Sequence, residues 1–216
     1  MRIALMNEVS QAPKNPVIFT ELKNEAESFG HTVYNVGMTG EEGEVELSYV
    51  NLGLMACILL NSKAVDFVVT GCGTGQGALV SLNSYPGVVC GYLIDPIDGY
   101  LFTQINCGCG VGGNAVSLPY AKGFGWGADL NLRYAFRNMF GADFGGGYPK
   151  ERYEPQMKFR NLFDCVKASV TKDVMSVLRD VDQDLLRAIK KNDRFMACLN
   201  ENGTVQEIVD YMNNLE

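Results

Sequence analysis

The stretch Asp66–Gly87, DFVVTGCGTGQGALVSLNSYPG, decides the fold. It opens on a short apolar, β-branched run, Phe67-Val68-Val69-Thr70, which reads as a buried strand. The run breaks at Gly71-Cys72-Gly73-Thr74-Gly75-Gln76-Gly77. Glycines at alternating positions read as a device for turning the backbone and admitting a ligand close to the main chain, not as packing. Ala78 to Leu82 then resumes an apolar pattern and reads as the start of a helix. A strand, a glycine-rich turn and a helix N-terminus together make an anion site, because free N–H groups and the helix dipole point at the ligand. Cys72 and Thr74 are expected inside that turn.

Outward from this stretch, short apolar runs alternate with helical patterns. Arg2 to Met6 reads as a first strand, followed by a polar loop, Asn7 to Asn15. Pro16 to Phe29 reads as a helix closed by Gly30, and Thr32 to Val36 as a second strand. After an acidic loop, Gly37 to Glu46, a helix is expected over Leu47 to Leu60. Further strands are expected over Asp66 to Thr70, Val88 to Leu93 and Asn114 to Leu118, and a helix over Ala128 to Phe140. Such alternation predicts an α/β fold, a five-stranded parallel, Rossmann-like sheet between two helical layers. Ligands bind such sheets at the carboxyl ends of the strands, so the loops after Met6, Thr70 and Leu93 are expected to converge. Gly141 to Tyr148 reads as a flexible joint. The expected division is therefore an α/β domain over 1–148 and a helical C-terminal extension over 149–216. In the extension, Asn161 to Lys191 and Thr204 to Leu215 read as amphipathic helices that cap the domain or form a dimerisation arm.

The 216 residues are 47% hydrophobic and carry a formal charge of −7. That excludes a nucleic-acid binder that neutralises phosphates with a basic face. No apolar run is long enough to span a membrane and no secretory signal is visible, so a cytoplasmic location is expected. The seven cysteines include no zinc-like pair, only Cys107-Gly108-Cys109, and read as reduced thiols. No metal and no cofactor are expected.

Cys72 is the residue best placed for chemistry. A helix N-terminus favours the thiolate, which suits a nucleophile or a general base. Thr74 can donate to a substrate oxygen or cap the helix. The amides of Gly73 to Gly77 can stabilise an oxyanion or enediolate. The spelling GxGxxG fails at Gln76, and the Lys-Ser/Thr of a phosphate-binding P-loop is missing. The single histidine, His31, lies between a helix end and a strand start, on the side of the sheet away from the crevice.

These residues resemble the ribose-5-phosphate isomerase B and galactose-6-phosphate isomerase family. The resemblance rests on Cys72-Gly73-Thr74-Gly75-Gln76-Gly77 after a strand, then Asn83 and Pro86-Gly87, with Glu8 after the opening strand and Gly30-His31-Thr32-Val33. It runs from residue 1 to about Asn106 and from about Asn114 to about Arg152. It implies an aldose–ketose isomerase acting on a sugar phosphate (ribose 5-phosphate-like) through an enediolate. Cys72 is then the proton-shuttling base, assisted by Thr74. Gly73, Gly75, Gln76, Gly77, Asn7 and Asn106 then bind substrate, and Lys150 and Arg152 clamp its phosphate. In the family the clamp comes from the partner subunit, which implies a homodimer or a dimer of dimers with the site at the interface.

The sequence also departs from the family pattern. Ile105 stands where a histidine precedes the asparagine, Glu8-Val9 replaces an Asp-His, and neither Ile94 nor Asp95 supplies the alternative histidine. That histidine opens the sugar ring, so here Glu8, Asp95 or Lys14 takes over, or the substrate is already open-chain or is not ribose 5-phosphate. Two further readings stand beside this one: a sugar-phosphate binder without activity, and a thiol-dependent epimerase or lyase.

Overall fold

A computed structural model describes residues 1–108, 112–122 and 125–216. Cys109 of the Cys107–Cys109 pair lies outside them. Strands β1 (Arg2–Asn7), β2 (Thr32–Asn35), β3 (Phe67–Cys72), β4 (Cys90–Tyr92) and β5 (Ala115–Pro119) form one sheet in the order β2-β1-β3-β5-β4. Every pairing is parallel. Helices α1 (Asn15–Ser28) and α5 (Ala128–Phe140) cover one face, and α2 (Tyr49–Asn61) and α3 (Gln76–Asn83) the other. The α/β sandwich expected from the alternation is therefore present.

The β1 loop leads to α1 on one face, and the β3 loop leads to α3 on the other. The carboxyl ends of these neighbouring strands therefore open a crevice between them. This is the topological switch point where parallel sheets bind ligands.

The structure differs from the sequence reading in several places. β3 runs two residues beyond Thr70, because Gly71 and Cys72 pair with Leu118 and Pro119 of β5. Cys72 is thus the last residue of the strand rather than part of the turn. The loop after β1 contains a 3-10 turn, Val9–Lys14, capped by the Glu8 carboxylate. The short helix α4 (Pro96–Leu101), with a π-turn at Phe102–Asn106, follows β4. The amphipathic helical stretch expected over Asn161 to Lys191 begins earlier and is broken into three helices: α6 (Tyr153–Val170), α7 (Val174–Asp180) and α8 (Gln183–Lys190). Asp173 accepts from the Ser176 amide and Asp182 from the Asp184 amide, so each starts a new helix. Helix α9 (Asp193–Asn202) was not anticipated, and α10 (Gln206–Asn214) was.

Gly141 to Tyr148 is pinned, not a free joint. The Gly145 and Gly147 amides donate to the carbonyls of Thr103 and Gln104 in the π-turn.

The extension packs into the molecule's own core. Leu186, Ile189, Phe195, Leu199, Ile208 and Met212 are buried in the same apolar layer as α2. Helix α2 is apolar on all sides, and ten of its residues are buried. A helix of this kind has to be covered on two faces, here by the sheet and by α8–α10.

Candidate functional site

The site is built on the carboxyl ends of β1, β3, β4 and β5. Cys72 is 7% exposed at the end of β3. Its carbonyl accepts from the Tyr120 amide at 3.0 Å, and the Gly73 carbonyl from the Ala121 amide at 2.8 Å, so the start of the β5 loop is laced to the Cys72 turn. From β4, the Tyr92 hydroxyl donates to the Thr74 carbonyl at 2.7 Å. Ser117 of β5 donates to the Gly75 carbonyl at 2.6 Å. Burial raises the pKa of Tyr92 and that of Tyr120, and the Cys72 charge is the next cause for both, so both phenols lie in the field of that sulfur. Burial pushes the thiols of Cys57, Cys107 and Cys198 up to about 12, which leaves them inert near neutral pH.

The four glycines of the motif do different work. A Cβ on Gly71 would stand 2.3 Å from the Leu118 carbonyl oxygen and 2.4 Å from the Tyr120 ring. Gly75 has φ +73°, and its Cβ would meet the Tyr92 ring at 2.6 Å. Gly77 faces the Tyr49 ring at 3.2 Å. Only Gly73 has ordinary room, with its nearest neighbours at 3.6 Å. Close packing of β5 and three tyrosine rings thus accounts for three of the four, contrary to the expectation from the spacing.

The Gly75 amide closes the turn on the Cys72 carbonyl, and the Gln76 amide on the Thr74 hydroxyl at 3.3 Å. Among the described residues, the amides of Gly73 and Thr74 meet no acceptor. They are oriented donors at the crevice, beside the N-terminus of α3. Thr74 and Gln76 are exposed there.

The other expected residues divide into two groups. Glu8 lies at the crevice, but its carboxylate is occupied. It accepts from the Ser10 amide at 2.8 Å and from the Ser10 hydroxyl. Asn7 is fully buried behind it. Its amide donates to the Met38 carbonyl and accepts from Asn15, which pairs in turn with Asn35, so the three amides tie β1, β2 and α1 together. Asn106 and the Lys150–Arg152 turn are elsewhere. Asn106 accepts from the Gly113 amide just ahead of β5, where Val68 of β3 pairs with Ala115. It is therefore at the amino edge of the sheet, a strand length of about 15 Å from Cys72. Lys150 and Arg152 are exposed beyond Tyr148, whose ring packs edge-on to Tyr100 of α4 at 5.7 Å.

One buried guanidinium joins these outlying segments. Arg160 of α6 donates to the Ile105 carbonyl at 2.8 Å and to the Gly145 carbonyl at 3.2 Å. His31 is at the amino edge as expected, bonded to the N-terminal amine at 3.2 Å and edge-on to Phe140.

Sequence reasoning passed over Gln11, Tyr92, Tyr120 and Arg160. Gln11 is buried, and its amide nitrogen lies 3.6 Å from where a Cβ on Gly73 would be. Tyr92 and Tyr120 were findable, because each ends or follows a strand at the carboxyl edge. Arg160 had no local signal. No group of His, Cys, Asp and Glu among the described residues could hold a metal ion, and no helix among them is long and apolar enough to cross a membrane.

Comparisons with known proteins bear on the family and the fold. The family model described as Ribose/Galactose Isomerase matches residues 3–113. A crystal structure of a 4-deoxy-L-threo-5-hexosulose-uronate ketol-isomerase complexed with a tartrate is 49% identical, with a TM-score of 0.95. The match covers 100% of this chain and 99% of that one. The ribose-5-phosphate isomerase LacAB_rpiB from Vibrio parahaemolyticus is 51% identical, with a TM-score of 0.94 over the same shares. The type B ribose 5-phosphate isomerase from Trypanosoma cruzi shares the fold at 17% identity and a TM-score of 0.61, covering 78% of this chain and 99% of that one. No curated protein sequence matches. The chain is thus an isomerase belonging to the ribose/galactose isomerase family.

Proposed function

We propose that the protein interconverts an aldose and a ketose by moving one proton between neighbouring carbons, with Cys72 as the base. The observation that carries this reading is the placement of Cys72 at the end of β3, beside the unengaged Gly73 and Thr74 amides. The thiolate removes the proton on the carbon next to the carbonyl. The amides and the α3 N-terminus then meet the negative oxygen of the enediolate. The resulting thiol returns the proton to the adjacent carbon. Thr74 and Gln76, exposed on the same turn, hold substrate hydroxyls. Glu8 acts through the 3-10 turn it caps.

The substrate we favour is an open-chain sugar acid of the hexosulose-uronate kind. The chain's only histidine is bonded to the N-terminus at the amino edge, so no imidazole on this chain reaches its own crevice to open a ring. An open-chain substrate needs no such step. The 49% identical ketol-isomerase of a uronate supports the same class. A ribose 5-phosphate-like substrate is the second reading, carried by the 51% identical relative and by the exposed Lys150 and Arg152.

Asn106 stands about a strand length from Cys72, and Lys150 and Arg152 are exposed past Tyr148, which packs on α4, so we assign all three to the site of a second copy in a homodimer. A stripe on α6 favours this assembly: Phe159, Leu162, Phe163, Val166 and Val170 are each more than half exposed. The free cysteines among the described residues suit a reducing compartment such as the cytoplasm.

The test is to incubate the protein in deuterated water with 4-deoxy-L-threo-5-hexosulose uronate and, separately, with ribose 5-phosphate. NMR follows product and deuterium at the exchanging carbon. Turnover of the uronate with solvent exchange, abolished in Cys72→Ser, is the expected result. Exchange that persists in Cys72→Ser removes Cys72 as the base. Turnover of ribose 5-phosphate alone selects the second substrate.

A further inference from the structure

We propose that Lys14 is the electrophile of this site. Its ammonium binds the substrate oxygen that becomes negative when Cys72 takes the carbon-bound proton. The inference rests on the isomerase reading above and adds to it the group that handles the oxygens.

Three side chains near the crevice could replace a histidine, and the structure separates them. The Glu8 carboxylate caps the 3-10 turn through the Ser10 amide and hydroxyl. Asp95 caps α4, accepting from the Ile97 amide at 2.8 Å and the Asp98 amide at 3.1 Å. Each is held in a role that a proton transfer would break. Lys14 is different. It closes the 3-10 turn at the carboxyl edge of β1, is half-buried, and its ammonium donates to the Tyr120 carbonyl. The amide of that same Tyr120 donates to the Cys72 carbonyl. One residue therefore links the ammonium to the base.

An ammonium has three donors, and Tyr120 takes one. Among the described residues Lys14 forms no ion pair, so its charge is not neutralised. The other cations at this edge are less suited. Lys122 is exposed, and Arg194 is bound by Glu44 and Glu41.

The step balances. The Cys72 thiolate takes the proton from C2 of the aldose, and that C–H electron pair becomes the C1–C2 double bond. The C1=O π pair moves onto O1, which accepts a proton from the Lys14 ammonium. The amine then takes the O2 hydroxyl proton as the C2=O2 bond forms, and the Cys72 thiol gives its proton to C1. Lysine and thiolate are both regenerated. Because the charge on O1 exists only along the reaction path, Lys14 acts on kcat more than on KM.

The experiment compares Lys14→Gln and Lys14→Arg with the wild type and with Cys72→Ser. Glutamine still donates to the Tyr120 carbonyl but has no charge, so a purely structural lysine would be replaced without loss. The uronate and ribose 5-phosphate exchange assays give kcat and KM. A second measurement needs no turnover: the ratio of Cys72 alkylation rates by iodoacetate and iodoacetamide, read by mass spectrometry of the Cys72 peptide. Lys14→Gln is expected to lose about 10²–10³-fold in kcat with little change in KM or melting temperature. The preference of Cys72 for anionic iodoacetate should fall with it. Lys14→Arg should keep that preference yet lose turnover, since arginine does not release a proton.

A Lys14→Gln enzyme with wild-type kcat, while Cys72→Ser is dead, overturns the inference and leaves the isomerase reading standing. If neither substrate is turned over, the isomerase reading fails on its own. The alkylation ratio then decides for Lys14, and an unchanged ratio in Lys14→Gln overturns its placement beside Cys72. Should Lys14→Gln melt early, Lys14→Arg with wild-type kcat overturns the proton-carrying role.

Discussion

Gly71 and Gly73 occupy alternate positions of one motif under opposite constraints. A methyl on Gly71 would press into the Leu118 carbonyl and the Tyr120 ring, both backed by the sheet. A methyl on Gly73 has ordinary van der Waals room beside Ala121 and Gln11. Gly71→Ala is therefore expected to cost about 2–4 kcal/mol by forcing β3 from β5, and Gly73→Ala less than about 1 kcal/mol. Gly73→Ala should still lower turnover, because the methyl narrows the crevice beside Cys72. Urea unfolding and the exchange assay, run on both variants, check the contrast. At the opposite end, burial first and then the N-terminal charge lower the pKa of His31 from its ordinary value. Folding thus favours the neutral ring. That contribution is present above the unfolded pKa near 6.5 and is lost as the pH falls through the lower folded value. His31→Gln should flatten the loss of stability on the acid side without changing turnover at neutral pH. Thermal melts across that range, set beside turnover, measure both.

At the scale of elements, a cation is spent on backbone. Arg160 binds the last carbonyl before Asn106 and a carbonyl of the glycine segment that leads to Lys150 and Arg152. One side chain of α6 thereby sets the spacing of two segments whose side chains we assign to substrate. Arg160→Met leaves both carbonyls unsatisfied and is expected to cost about 2–4 kcal/mol. It should raise KM for an anionic substrate more than it lowers kcat. Chemical denaturation and steady-state kinetics on the same preparations test the two effects. The sequence showed the helical content of this region but not its breaks. Asp173 and Asp182 are ordinary polar positions in an amphipathic pattern until their neighbours' amides turn toward them. The 3-10 turn after β1 was equally hidden, since its hydrogen bonds close only when Glu8 caps it.

For the whole molecule, the decisive feature is that the candidate residues face two ends of the sheet. Cys72, Thr74 and Lys14 are at the carboxyl edge, Asn106 is at the amino edge, and Lys150 and Arg152 lie beyond α4. If both sets serve one reaction, two chains are required. Cys72→Ser and Arg152→Ala are then each inactive alone, but mixing them under conditions that exchange subunits should restore part of the activity, because hybrid dimers contain one intact site. Phe163→Glu on the exposed α6 stripe should yield a monomer by light scattering and should prevent that rescue. Equal inactivity of the mixture and of its parents rules out the shared site.

The five strands, the main helices of the sheet's two faces, the glycine turn next to Cys72 and the remote place of His31 were legible in the sequence, because they follow from local periodicity and glycine placement. That α2 is covered on a second face by the C-terminal helices emerged only from the fold. What only the tertiary structure decided concerns contacts between segments far apart in the chain. It extended β3 to Cys72 by pairing with β5, turned three glycines into packing positions, and brought the Lys14 ammonium onto the Tyr120 carbonyl. It also separated Asn106 from Cys72 by a strand length. Such relations depend on which strands become neighbours, and a local pattern does not encode that adjacency.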